Sequence, residues 1–519
     1  MFRRLLALVA ACLIPGAVLA QNLVLGTKLE LNTLDPHFFA AFPTGSSHEY
    51  LYDKLVVLDE NLRVKPALAA SWKLVDDRTW EFRLRKGVVF HDGSPFTADD
   101  VLFTIERVPN VPNSPNSFSQ FTRGIDHIAK VDDLTIVMTT KSPNPQLPND
   151  LANVFIVSAR AARGATTADF NAGKAAVGTG PYKLVEWVNG ERLVVERNER
   201  YWGPRPQWAK VTERVIAKDP TRLAALLSGQ VDAIDAVPIA DLDRLRKEGK
   251  FALFRGAAAL VHYVALDSAR DSSPFVTAKD GKALVGNPLK DPRVRKALSL
   301  AINRDLIVKK IMEGSAIPAS QLLAAQFPGA SQTLKPDPYD PAKAKALLKE
   351  AGWGEGFRIV LHCTADRYPN DSSVAQAIAQ MWTRLGLKAE VETLPGSVFF
   401  TRASKQEFSA FAAQYGAEEA ANSLRALVAS YNPAKGFGTA NRTRYSNPIV
   451  DSLLTESNET MDAEVRNQKL TRAINFAMAD QPLIPVFYPI FDFAAKKELT
   501  ITPRAQRRFN ALMIAPRAR

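Results

Sequence analysis

Residues 177–202, VGTGPYKLVEWVNGERLVVERNERYW, constrain the fold more than any other stretch of this chain. A tight Gly-rich lead, Gly178-Thr-Gly180, runs into two extended segments. The first, 181–188, sets Tyr182, Leu184 and Val188 at even positions, and the second, 191–197, is rich in β-branched residues. Asn189-Gly190 lies between them and suits the positive φ of a two-residue type I′ turn, so the stretch predicts a β-hairpin.

The N-terminus reads differently. Arg3 and Arg4 precede an apolar run at 5–19, and Val18-Leu19-Ala20 places small residues ahead of Gln21. This pattern predicts a secretory signal peptide over residues 1–20, cut after Ala20, since the run is too short and weakly flanked to span a membrane. A lipoprotein reading at Val9-Ala10-Ala11-Cys12 would leave only a very short apolar region, which disfavours it. The mature protein is therefore expected to be exported and soluble. At 519 residues the chain is long for one core, and two to three domains are expected.

Removing the signal leaves one cysteine, Cys363, inside the apolar run 357–363. One thiol makes no intramolecular disulfide, and its surroundings predict a buried, inert side chain. The formal charge of +12 falls to roughly +10 without Arg3 and Arg4. Lys and Arg are interleaved with acids except in the tail 504–519, so a solvated basic surface, and no nucleic-acid partner, is the reading.

Further along, residues 23–25 read as a first strand, and Leu34-Asp35-Pro36-His37 leads into an aromatic loop at 38–42. Trp80, Phe82 and Leu84 alternate with charged residues, the pattern of a half-buried strand. Thr97 stands three residues before Asp100, a capping box for a helix over 98–107. Asp-Pro pairs at 219–220, 291–292 and 340–341 each open a helix, with Asp placed to cap and Pro in the first turn. Gly229 and Gly352 read as stops. Between 357 and 393 the pattern is strand, helix, strand, for which a parallel βαβ unit is expected. Residues 482–488 read as a buried strand.

Enzyme signatures are missing. The six histidines, His37, His48, His91, His127, His262 and His362, are isolated, and His48-Glu49 lacks the second histidine of a zinc-hydrolase helix. Neither GxSxG nor GxxxxGK[ST] occurs, and Gly178-Thr-Gly180 lacks the third glycine of a dinucleotide loop. No catalytic residue, metal ligand or cofactor is assigned.

The 177–202 stretch, the block at 68–108 and the segments that follow in order resemble the family 5 solute-binding proteins of ABC transporters. These are extracytoplasmic receptors that deliver oligopeptides, dipeptides, glutathione and sometimes nickel or other solutes to a permease. The resemblance implies a two-lobed α/β periplasmic-binding-protein fold, type II, large, with an extra subdomain. By that similarity lobe I takes 21–45, 165–262 and 485–519, the inserted subdomain 46–164 and lobe II 263–484. Hinge crossings would fall near 261–266 and 484–488. The function implied is that of a monomeric periplasmic receptor, not an enzyme, which captures a short peptide or peptide-like solute between its lobes. Its partners would be the permease subunits in the inner membrane.

Peptide-binding members hold the ligand amine with the Asp of a W-x-x-D segment. The matching segment here is Ala412-Ala-Gln-Tyr-Gly-Ala-Glu-Glu-Ala420, which places Gln414 at the Trp position and Ala417 at the Asp position. Glu418 and Glu419 follow, and either could supply the anion; the alternative is that both are solvated loop residues. Arg367, in Asp366-Arg-Tyr-Pro-Asn-Asp371, resembles the R-P-Y-N-P arginine that takes a ligand carboxylate, with the residue order shuffled. Phe42, Phe118, Tyr263 and Tyr415 are candidate cleft walls. The departure at Ala417 leaves a non-peptide solute, such as an opine-like conjugate, nickel chelate or haem, as the alternative cargo.

Overall fold

A computed structural model of the chain describes residues 22–40, 45–365 and 367–517. The 1–20 segment and Phe42 lie outside the described residues. Among those residues no helix is long and apolar enough to cross a membrane.

The 14-residue strand Leu483–Lys496 organises a mixed sheet of 13 described strands. Its first part pairs antiparallel with Leu260–Leu266, from Ala265 opposite Leu483 to His262 opposite Phe487. Its second part pairs antiparallel with Phe251–Ala257, from Ala257 opposite Ile490 to Phe251 opposite Lys496. One stretch of chain, 251–266, thus follows the long strand along both parts, interrupted at Ala258-Ala259. The sheet continues outward from the first part through Ala410–Gly416, Arg358–Thr364 and Val276–Thr277. From the second part it continues through Ala233–Ile234, Asn22–Thr27, Lys210–Val215 and the Arg192–Arg197/Tyr182–Val188 hairpin.

The apolar runs explain the layering. Every residue of Leu260–Leu266 is buried, as expected for a strand covered on both faces. Val261, Tyr263 and Ala265 point into one core with Phe411, Leu424 and Ile474. Val264 and Leu266 point into the opposite core with Leu298, Ile359 and Trp382. Period-2 alternation therefore feeds two helical layers at once. The βαβ unit is as expected: Arg358–Thr364, helix Asp371–Thr383 and Lys388–Leu394, with the two strands parallel. Trp382 anchors its helix by donating its indole N–H to the Leu298 carbonyl at 3.0 Å.

A separate four-stranded antiparallel sheet, in the order Ala69–Asp76, Thr79–Leu84, Thr135–Thr140, Ile125–Asp132, packs around Phe82, Leu84, Ile136 and Met138. Helix Ala98–Arg107 covers it, opened by the Thr97/Asp100 capping box.

The hairpin stretch is a clamp. Gly178 and Gly180 lie against the backbone of Leu51, where Gly180 N–H donates to the Leu51 carbonyl at 3.0 Å. A Cβ at 178 would sit 1.9 Å from that carbonyl oxygen, so only glycine fits. Asp53 then accepts from Thr179 Oγ1 at 2.9 Å, Trp202 Nε1 at 2.8 Å and Tyr201 OH at 3.2 Å, tying both ends of the stretch to one buried carboxyl. Two local expectations are corrected. Val188 pairs with Arg192 and only Gly190 takes positive φ, so the turn is not the two-residue type I′, which needs positive φ at Asn189 as well. Asp219 is the first residue of its helix, Asp219–Leu227, rather than its cap, and it pairs instead with Arg222 and Lys28. Asp291 and Asp340 do cap, accepting from the backbone N–H of Arg293 and Lys343.

Candidate functional site

Strands Arg358–Thr364 and Ala410–Gly416 run parallel, so their carboxyl ends open at the same edge of the sheet. Crevices outside such ends are where open α/β sheets take ligands. A cavity of about 340 Å³, large enough for a small solute, lies at the carboxyl end of Ala410–Gly416. One wall is the end of strand Ala410–Gly416, the loop through Ala417, Glu418 and Glu419, and Asn422 and Arg425 of helix Ala420–Leu427. The facing wall is built from Ala40, the 116–123 segment with Phe118 and Phe121, and Asp150, Asn153 and Phe155. Arg508 reaches in from the C-terminal segment.

Tyr415, Phe118, Glu418 and Glu419 are thus brought together on one cavity. Glu418 bridges its two walls, accepting from Gln506 Nε2 at 2.5 Å and Asn153 Nδ2 at 3.3 Å. Burial pushes its carboxyl above the ordinary range, against the pull of those bonds and of Lys54. Glu419 is buried in an ion pair with Arg466, and its Oε2 has no hydrogen-bond partner among the described residues. Ala417, at the position where the resemblance places an acid, is buried and donates its N–H to the Ala259 carbonyl at 3.1 Å, beside the interruption in the 251–266 stretch.

The other candidates fall elsewhere. Arg367 is exposed, its guanidinium 5.1 Å from the Phe400 ring and 5.7 Å from that of Tyr368, off the cavity wall. Tyr263 is 2% exposed and packs edge-on against Phe411 in the core.

Four charged wall residues were not singled out by the sequence: Asp150, Arg425, Arg123 and Arg508. Burial, together with the Glu419 and Glu418 charges, pushes the Asp150 carboxyl up to about 7, opposed by Arg425 and Arg123. Arg425 donates to Asn422 Oδ1 at 2.9 Å, and this i, i+3 spacing on one helix was a legible signal. Asp150 stands behind Pro143, Pro145 and Pro148, a context that reads only as a chain break. Nearby, burial pushes Lys54 down to about 8; its ammonium lies 3.3 Å from Glu49 and 4.5 Å above the Phe155 ring. Arg508, ion-paired with Glu49, is pushed by burial down to about 10.

No cluster of three or more His, Cys, Asp or Glu able to hold a metal occurs among the described residues. Burial raises the Cys363 thiol to about 12, which keeps it protonated.

The profile of the bacterial extracellular solute-binding proteins, family 5 Middle, matches residues 63–435. The chain belongs to this family. Among its curated relatives, the glutathione-binding protein GsiB of Pectobacterium atrosepticum is 30% identical over 93% of this chain and 91% of its own. The periplasmic binding protein DppA from Helicobacter pylori, solved with the peptide STSA, superposes with a TM-score of 0.73 at 25% identity, over 95% of this chain and 98% of that one. HbpA2 from Haemophilus parasuis shares the fold with a TM-score of 0.80 at 22% identity, covering 96% and 100% of the two chains. The family 5 receptor fold is two-lobed and mixed α/β, and here the long strand Leu483–Lys496 joins the two parts of its large sheet.

Proposed function

We propose that this family 5 protein is the periplasmic receptor of an ABC importer, and that it captures a short peptide or peptide-like solute in the cavity between Phe118 and Tyr415. The observation that carries this reading is the make-up of that cavity. Acids, arginines and aromatic faces converge from two walls, one at the end of a strand of the large sheet and one of helical and loop segments at 116–123 and 149–155, which suits a solute with charged ends and an apolar middle. Closure of the lobes would turn on the interruption at Ala258-Ala259 and on the part of Leu483–Lys496 beside it, where the pairing passes from one part of the sheet to the other. The names of GsiB and of the DppA–STSA complex support a peptide-class cargo, delivered unchanged to permease subunits.

A thermal-shift panel on the mature, ligand-stripped chain tests this. It compares di-, tri- and tetrapeptides, glutathione, opine-like conjugates, sugars and nickel chelates. A cargo present at about a hundred times its Kd stabilises by about 2.7 kcal/mol, a visible displacement of the melting curve. Shifts confined to peptide-class solutes support the reading; shifts confined to sugars or chelates contradict it.

A further inference from the structure

The charges around the cavity are not equally available. Glu419 is neutralised by Arg466, and Arg508 by Glu49. Both oxygens of Glu418 already accept hydrogen bonds, from Gln506 and Asn153, and the Lys54 ammonium attracts it. Three groups remain. The Asp150 carboxylate makes no hydrogen bond or ion pair among the described residues. The exposed Arg123 guanidinium makes none either, and Arg425 makes one, to neutral Asn422. The wall groups without a hydrogen-bonded counter-charge among the described residues are thus one anion and two cations, which feel one another's charge without touching. A guanidinium fork matches a carboxylate in geometry, and a lone carboxylate matches an ammonium.

Resting on the receptor reading above, we infer that Asp150 holds the ammonium of the solute while Arg425 and Arg123 each receive a carboxylate. The preferred cargo is then a small peptide-like solute with one ammonium and two carboxylates. The amine anchor lies on the wall opposite Ala417, which explains how an alanine is tolerated there. The raised carboxyl of Asp150 fits the same assignment, because an ammonium replaces the solvation that burial removes. Phe118 and Tyr415 flank the groups as apolar walls for the body of the solute.

Isothermal titration of the mature, ligand-stripped chain with Glu-Ala, Ala-Ala, Lys-Ala and N-acetyl-Glu-Ala tests the assignment. Glu-Ala is expected to bind at least tenfold tighter than Ala-Ala or Lys-Ala and to lose at least a hundredfold on acetylation. Asp150→Asn should weaken Glu-Ala at least tenfold and shrink the acetylation effect. Arg425→Gln should erase the preference for Glu-Ala over Ala-Ala. Melting curves establish that both variants are folded; should Asp150→Asn fail to fold, the Arg425→Gln comparison and the wild-type charge series decide. Equal affinity for all three free dipeptides, or an unchanged acetylation effect in folded Asp150→Asn, overturns the assignment while the receptor reading stands. No heat from any peptide overturns both.

Discussion

Replacing Gly178 by alanine should destabilise the protein out of proportion to one methyl group. The φ of Gly178 is not positive, so the effect is purely one of space. The new Cβ would lie 1.9 Å from the Leu51 carbonyl oxygen, 2.7 Å from its carbon and 2.7 Å from Tyr52 Cδ1, where ordinary contact needs about 3.5 Å. The 178–180 backbone must therefore retreat by more than an ångström. That retreat opens the Gly180 N–H bond to Leu51 and draws Thr179 away from Asp53. Overpacking of this kind costs about 1–3 kcal/mol, and leaving a buried acceptor without its donor costs about 1–3 kcal/mol more. A loss of about 3–5 kcal/mol is expected. Urea unfolding followed by circular dichroism measures it, with Gly354→Ala as the control. A Cβ at Gly354 meets nothing closer than 3.5 Å and should change stability by less than about 0.5 kcal/mol. A Gly178→Ala midpoint indistinguishable from that of the control would refute the close-approach argument.

Three further outcomes are expected. Glu419→Gln should lower stability by about 3–5 kcal/mol, because it leaves the buried Arg466 charge unpaired, and calorimetric melting would show it. Glu213, fully buried and accepting from Ser47 and Tyr50 at 2.6 Å each, has its carboxyl raised by burial to about 7 from 4.5. The folded state keeps this proton where the unfolded chain has lost it, so wild-type stability should fall by about 3 kcal/mol as pH rises from about 4.5 to about 7; a Glu213→Gln variant whose stability shows the same slope would contradict this. Cys363 should react with a thiol-specific chromogenic reagent only in denaturant, and labelling of the native protein within minutes would place the thiol nearer the surface than the fold does.

The parts of the fold that the sequence made legible are those set by local rules. The Thr97/Asp100 box, the caps at Asp291 and Asp340 and the βαβ unit around Trp382 depend on neighbours within a few residues or on plain apolar periodicity. The alternation in Leu260–Leu266 could not be read as one strand serving two cores, because a fully apolar run has no polar face to give its orientation. The turn at Gly190 escaped for a related reason: Asn-Gly permits a type I′ turn, but strand register decides where the hairpin closes. Of the cavity wall, the resemblance named Glu418, Glu419, Tyr415 and Phe118. Asp150 could not be found, since its place on the cavity wall is set by Glu418, Glu419 and Arg425, which lie far away in sequence. The same separation hides the partner of Glu419, because nothing near it in sequence announces Arg466 as its counter-charge.

Capture of a peptide-class solute in this cavity, and its release unaltered, is open to one direct measurement. Native electrospray mass spectrometry of the ligand-stripped chain with an equimolar library of di- to tetrapeptides tests it in one spectrum. One-to-one adducts at unchanged peptide masses, enriched in acidic peptides with a free amine, are expected. A spectrum with no peptide adduct, or one in which the peptides are cleaved, would contradict it.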